Sequence, residues 1–497
     1  MKKVLLAILL VGIGVAIGKF ALTPKAKPVI APTFFDAGEE SETGEAAAVI
    51  PGKTWEVKNG ESIQAIVAQA QPGDMIMVYP GTYTETVYID KDNLRFYGVI
   101  KNGEWPTLDG KKELNDAFLY SGNGITIENF KIIDYKGNAI MGQAGNNFII
   151  RNNLVINTGV YGIFPQYGKN GLVEGNKLSG IEDAAIYIGM CDNVDVRGNE
   201  VFESVAGIEI ENSRHCLVEN NYVHDNTGGL LAFITPGLPI KTCYDVIFRG
   251  NFVINNNHKN FGAPGSVVAS IPPGTGLLII AADDVKVENN FFVGNKCFAI
   301  AATDLKNAEI KFSTDEGIDP NSDNISILDN YMENNGYEPS GVIQKVMKVA
   351  MLDKLDIGFI GGGENNCILN RDRYVTLGLN SFVNCEPFST KKIKSYMLSK
   401  PVPSKAVTIT DKGKLAFYGI CAGCHSYNNQ IVGPEIRAIQ AIYKDNPQGI
   451  VDFINNPVHK RPDYPQMPSQ KHLPEDVKIA VAKYMLEVKE KAPTVAR

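Results

Sequence analysis

Cys421-Ala422-Gly423-Cys424-His425 places two thiols and an imidazole within five residues near the end of the chain. Thiols at this spacing can close a redox disulfide, bind zinc, or anchor a tetrapyrrole whose iron the histidine ligates. A dithiol does not need the adjacent histidine, and a zinc knuckle needs a second ligand pair that this segment lacks. Gly433-Pro434 follows. Met467, in Tyr464-Pro465-Gln466-Met467-Pro468, comes 42 residues after His425 and carries a thioether, a soft ligand for a metal. His459 and His472 lie close by and leave a bis-histidine site open; thioether ligation raises the potential and bis-histidine lowers it.

A second set of polar residues lies earlier: Glu209, Glu211, His224, Asp225, Lys241, His258 and Lys259. A uronate lyase or epimerase needs a base to remove the proton alpha to a carboxylate and a cation to steady the resulting charge. His224 or His258 as base and Lys241 or Lys259 as cation meet that need. A histidine in a loop is more often simply solvated, and no acidic constellation suited to Ca²⁺ is visible.

A short repeated phrase indicates what positions these residues. Ile150-Arg151-Asn152-Asn153 returns as Val173-Glu174-Gly175-Asn176, Val196-Arg197-Gly198-Asn199 and Val218-Glu219-Asn220-Asn221, then near 251, 290 and 330. The recurrent asparagine steps by 23, 23, 22, 30, 39 and 40 residues. Residues alternate with period two inside each unit, so three short strands per turn of about 23 residues predict a parallel β-helix solenoid. The asparagines are expected to stack into an amide ladder at a bend that needs φ > 0. Residues 60–70 read as a short amphipathic helix that caps the entrance of the coil.

The long steps carry extra residues at 234–241 and 256–276, loops that on a rigid scaffold are where binding usually resides. Outward positions of successive strands read Met141, Phe164, Tyr187, Glu209, Leu231 and Leu278. A stripe this apolar stacks sugar rings or docks another domain. Cys216 reads as core filler. Cys191 and Cys243 fall two turns apart, about 9.6 Å at ~4.8 Å per turn, too far for a bridge. Cys367 and Cys385 are the best disulfide pair for an oxidising compartment.

Lys2 and Lys3 precede an apolar run over residues 4–18, which as a helix spans about 22 Å, short of the ~30 Å hydrocarbon core. This is the layout of a secretory signal, with an uncleaved anchor as the alternative, and either makes the protein periplasmic or otherwise extracytoplasmic. The boundaries expected are 1–23 for the signal or anchor, 24–51 for a flexible tether, 52–393 for the β-helix, 394–404 for a linker and 405–497 for a helical module. Over the whole chain, 48 Gly and 26 Pro argue against a helix-rich fold, and a net charge of −7 argues against nucleic-acid binding. Residues 401–497 carry about +4, leaving about −11 on the rest.

The entrance and the asparagine-bearing rungs, over about residues 52–393, resemble the right-handed parallel β-helix repeat proteins, a grouping that includes pectate lyases and alginate epimerases. Residues 405–492 resemble class I cytochromes c, with Cys421, Cys424, His425, Pro434 and Met467 at the matching motif positions. The resemblance implies one covalently attached haem c, iron ligated by His425 and Met467, and a redox partner protein. The expected function is therefore an exported monohaem electron carrier whose β-helix binds a partner or a polysaccharide. The alternative is a uronate polysaccharide lyase or epimerase with the haem module as accessory. The short, proline-bearing linker predicts that the helical module rests on the C-terminal end of the solenoid, with residues 342–355 in the interface.

Overall fold

In a computed structural model the described residues are 52–263, 266, 268–310, 317–404, 409–422, 424–428, 432–459, 464, 466–467 and 469–489. The expected signal and tether, and Lys405, Gly423, Pro465 and Pro468, lie outside them. The chain first forms the short helix α1 (Ile63–Gln69), whose Ser62 side chain accepts from the Ala65 amide and whose Ile63 and Val67 are buried. It thereby closes the entrance of the coil, as its sequence predicts.

From Thr54 to Asn384 the chain winds as a three-sided solenoid, with parallel sheets of 13, 11 and 10 strands among the described residues. Successive turns pair residue for residue: Val194 faces Cys216 and then Val246, all fully buried, so inward positions stack like on like. Cys216 fills the core, and Cys191 and Cys243 stay unpaired. Cys367 and Cys385 form the disulfide, with Cα atoms 5.0 Å apart.

The amide ladder is present. Asn153, Asn176, Asn199, Asn221, Asn251 and Asn290 each donate Nδ2–H to the side-chain oxygen of the next, at 2.9–3.0 Å. The left-handed conformation, however, belongs to the residue before each: Asn152 (φ 54°), Gly175 (φ 63°), Gly198 (φ 61°), Asn220 (φ 55°) and Gly250 (φ 65°). The bend is made one residue earlier so that the ladder asparagine can turn its amide inward. A second ladder, Asn226–Asn256–Asn295–Asn335, runs along another corner. On the outer face of the 13-stranded sheet, Glu128, Arg151, Glu174, Arg197, Glu219, Arg249 and Glu288 face one another in register with alternating charge. Arg151, Arg197 and Arg249 each donate Nε–H to the preceding glutamate at 2.7–2.8 Å. A slip of one turn would set like charges opposite.

The docking expectation is corrected. Residues 385–404 are not a short spacer but a strap that runs back along the solenoid. Thr390 binds Glu288 and Arg249, the Tyr396 amide donates to Asp195 while its carbonyl accepts from Asn193, Leu398 donates to Asn170, and Val402 bonds Asn147 twice at 2.8 Å. The strap thus carries the chain from a late rung back to an early one. The helical module that follows packs against the side of the 11-stranded sheet instead of capping the end. Helix α2 (Gly341–Ala350) does not join that contact; its Met347 packs with Cys297, Phe298 and Leu355 at the late rungs, and Val342 is 68% exposed.

Candidate functional site

The module contains α3 (Ile409–Ala416), a π-helical stretch Phe417–Cys421, α4 (Ile436–Ile442), α5 (Pro447–Asn455) and α6 (Glu475–Glu487). Gly413 allows α3 to approach α6 closely, because a Cβ there would fall 2.4 Å from the Ala480 carbonyl oxygen. Phe417 and Tyr484 meet at 5.3 Å between ring centres. The terminal helix α6 thus packs on the first helix of the module.

The π-helical stretch delivers Cys421 to a turn in which the Cys424 and His425 amides both donate to the Cys421 carbonyl, at 3.1 and 2.8 Å. The Gly433 amide in turn donates to the Cys424 carbonyl at 2.7 Å. His425 is buried, and its Nδ1 lies 2.8 Å from the Pro434 carbonyl oxygen. A carbonyl only accepts, so Nδ1 carries the proton and Nε2 is left with a free lone pair. Burial holds the His425 pKa below its ordinary value, with the Pro434 hydrogen bond opposing, and so favours the neutral, ligating form. Gly433 is required beside the ring: a Cβ there would lie 2.3 Å from His425 Cε1.

Both thiols are free. Burial pushes Cys421 up to about 12 and Cys424 up to about 11, although Cys424 keeps an exposed edge. Met467 packs against the module's own core. His459 directs Nε2 to the Tyr464 carbonyl oxygen at 2.7 Å. His472 turns to the solenoid, where its Nε2 lies 3.3 Å from Asp116 Oδ2 without hydrogen-bond alignment. A neutral imidazole oriented by a carbonyl and two thiols on one turn are a donor set that fits a c-type haem.

This turn faces the solenoid. Ile420 and Leu473 pack into the solenoid's buried cluster, Tyr88 of the solenoid packs on the module's core, and Tyr167 stacks on Tyr418 at 5.1 Å. The outward stripe read from the sequence is therefore covered: Met141, Phe164, Tyr187, Glu209 and Leu231 are all buried, in the register expected. Tyr161, Phe164 and Tyr187 form a three-ring cluster with centres 4.5–4.6 Å apart. The long loops fold inward over the same sheet, with Ile234, Val268 and Ile271 in the core.

The solenoid's polar candidates are not gathered in one place. Glu209 and Glu211 lie buried on the 11-stranded sheet, and the Thr235 hydroxyl donates to Glu211. His224 ends a strand of the 10-stranded sheet, a different side of the prism, where it pairs with Asp225 at 2.7 Å and Glu200 at 3.5 Å. His258 and Lys259 are exposed in the loop before Thr275, and Lys241 is half-buried in the loop before Tyr244. Asp183, which no motif or spacing singles out, joins the two glutamates electrostatically. Burial and the Glu211 charge push Asp183 up to about 8, while burial, opposed by the Thr235 hydrogen bond, pushes Glu211 up to about 7. Burial and Asp183 push Glu209 well above the usual carboxylate range. Among the described residues no group of three or more His, Cys, Asp or Glu is arranged to hold a metal ion, and no helix is long and apolar enough to cross a membrane.

A family model described as a right handed beta helix region matches residues 114–235. No curated protein sequence matches the chain. Solved structures with a similar fold include the A-module of the mannuronan C-5 epimerase AlgE4 of Azotobacter vinelandii, at 14% identity over 68% of this chain and 89% of that chain, TM-score 0.37. The DFA-IIIase of Arthrobacter chlorophenolicus A6 aligns at 15% identity over 69% of this chain and 98% of that chain, TM-score 0.42. The catalytic domain of a GH87 alpha-1,3-glucanase, solved with nigerose, aligns at 12% identity over 69% of each chain, TM-score 0.38. These carbohydrate-active proteins resemble the solenoid portion, which is a right-handed parallel β-helix.

Proposed function

We propose that the protein is an exported c-type cytochrome in which a β-helix carries and shields a single haem module. The observation that carries this reading is the His425 imidazole, fixed by the Pro434 carbonyl at 2.8 Å and flanked by a residue that must be glycine, on the same turn as Cys421 and Cys424. Bound haem would supply one-electron transfer at its iron. Cys421 and Cys424 would anchor it, and His425 Nε2 and Met467 would ligate its iron. The contacts of His459 with the Tyr464 carbonyl and of His472 with Asp116 favour Met467 over a second histidine. Because haem c is attached outside the cytoplasm, this reading requires the export that residues 1–23 suggest, and it requires an exported redox partner.

The test is expression of the full chain in a host that attaches haem c. Haem absorbance that survives denaturation and solvent extraction is expected, and its loss in the Cys421→Ser/Cys424→Ser variant. A wild-type chain matured alongside a control cytochrome yet carrying no covalent haem overturns the reading.

The alternative is action of the solenoid on a uronate polymer. Glu211, raised to about 7 beside Asp183 and Glu209, favours it, since a carboxyl tuned to that range can serve as general acid or base. It requires the helical module to lift from the sheet. Appearance of unsaturated uronate ends with alginate or pectin, lost in Glu211→Gln, supports it; intact polymer excludes it.

A further inference from the structure

The thiol-bearing turn meets the solenoid over a group of buried polar atoms that lack partners. Gln143 Nε2, both amide atoms of Gln166, and Glu209 Oε1 make no hydrogen bond, and each residue is 2% exposed or less. All three point outward from the 11-stranded sheet: Gln143 faces Gln166, which faces Gly189, which faces Glu211, and Glu209 lies two residues before Glu211 on the same strand. An unmet buried polar group costs about 1–3 kcal/mol, so several on one face mark a surface built to meet something. The strand Ile140–Gln143 contacts the Phe417–Cys421 stretch, and the charges of Asp183 and Glu211 act on the Cys424 thiol.

We propose that this sheet face is the solenoid's half of the haem site, and that Asp183, Glu209 and Glu211 are positioning residues that set the reduction potential of the group attached through Cys424. The inference rests on the haem reading above. The titratable groups facing the three carboxyls are Tyr161 and Cys243 of the solenoid and Cys424 of the module. The charge that acts on Asp183 is that of Glu211, and the charge that acts on Glu209 is that of Asp183. Ionised carboxylates in this low-dielectric seam stabilise the oxidised iron over the reduced one and lower the potential; protonated, they do not. Burial raises all three above the usual carboxylate range, and Asp183, at about 8, and Glu211, at about 7, change state near neutrality. The solenoid thereby makes the potential of the module it covers depend on pH.

The test is spectroelectrochemical titration of the full haem-bearing chain from about pH 5 to about pH 9. The wild-type potential is expected to fall as pH rises. Glu211→Gln and Asp183→Asn should raise the potential at the alkaline end and flatten the slope, while matching wild type at the acid end. Glu182→Gln, an exposed carboxylate nearby in sequence, should leave the slope intact. A flat wild-type potential overturns the proposal without reference to any variant, and so does a slope that all the variants retain. Absence of covalent haem in wild type is a separate result, which rejects the attachment reading.

Discussion

Asn199→Ala tests whether the solenoid is held by its amide ladder or by its left-handed corners. The Asn199 side chain accepts from the Asn176 amide at 2.9 Å and donates to the Val173 carbonyl at 3.0 Å and to Asn221 Oδ1 at 2.9 Å. Truncation keeps Asn176 Nδ2 bonded to the Ile150 carbonyl and Asn221 Oδ1 bonded to the Asn199 amide. It strips the buried Asn176 N–H and Val173 carbonyl of this partner. Two such groups at about 1–3 kcal/mol each give a loss of about 4 kcal/mol. The adjacent Gly198 has φ 61° with open space where a side-chain carbon would stand, so Gly198→Ala carries only the left-handed penalty, about 1–2 kcal/mol. Urea unfolding followed by far-UV circular dichroism, at equal m-values, measures both. A loss in Asn199→Ala no larger than in Gly198→Ala would refute the ladder argument.

Three further outcomes follow from the geometry. Cys367→Ser/Cys385→Ser frees a link across 18 residues and should cost about 3 kcal/mol in the same unfolding assay under oxidising conditions. Asp183 and Asp283, both raised to about 8 mainly by burial, and Glu211, raised to about 7, bind protons more tightly folded than unfolded. Their contribution to stability is complete below their unfolded pKa near about 4 and is lost as pH rises through about 8. Midpoints should therefore decline from mildly acid to mildly alkaline buffer, and less steeply in Asp283→Asn; an unchanged dependence counts against the assignment. Gly433→Ala drives a methyl group into the His425 ring and, under the haem function proposed above, should alter the Soret spectrum of the matured protein; a wild-type spectrum contradicts the packing described.

The rungs were legible because a solenoid writes its geometry into the sequence once per turn. Spacing alone located Asn153, Asn176 and Asn199, and parity alone placed Phe164, Tyr187 and Glu209 on one outward face. The left-handed bend was assigned one residue late, since asparagine stands at both Asn152 and Asn153 and only Gly175, Gly198 and Gly250 mark the true corner. The turn carrying Cys421, Cys424 and His425 was legible for the opposite reason, being local: its residues need no partner distant in sequence. Asp183 was invisible because its significance comes from Glu211 across a turn and from Cys424 across more than two hundred residues. The strap was missed because it has no periodicity. Thr390, Tyr396, Leu398 and Val402 are ordinary residues whose partners are asparagines and charged side chains from five separate turns.

The strap also works as a ruler. Its contacts to Glu288, Asp195, Asn170 and Asn147 fall on different turns in order, and each matches a particular strap residue. Removing one complete turn from the middle of the solenoid would keep the pairing of the untouched turns but would bring like charges of the outer row together. It would also leave the strap about 4.8 Å too long and the Tyr167–Tyr418 contact out of step. Repeat proteins ordinarily gain and lose units with little penalty. Here the number of turns between Asn147 and Glu288 is tied to a single unrepeated segment, so its lineage can change length only beyond the strap's reach, at the late rungs past Glu288 or the early ones before Asn147.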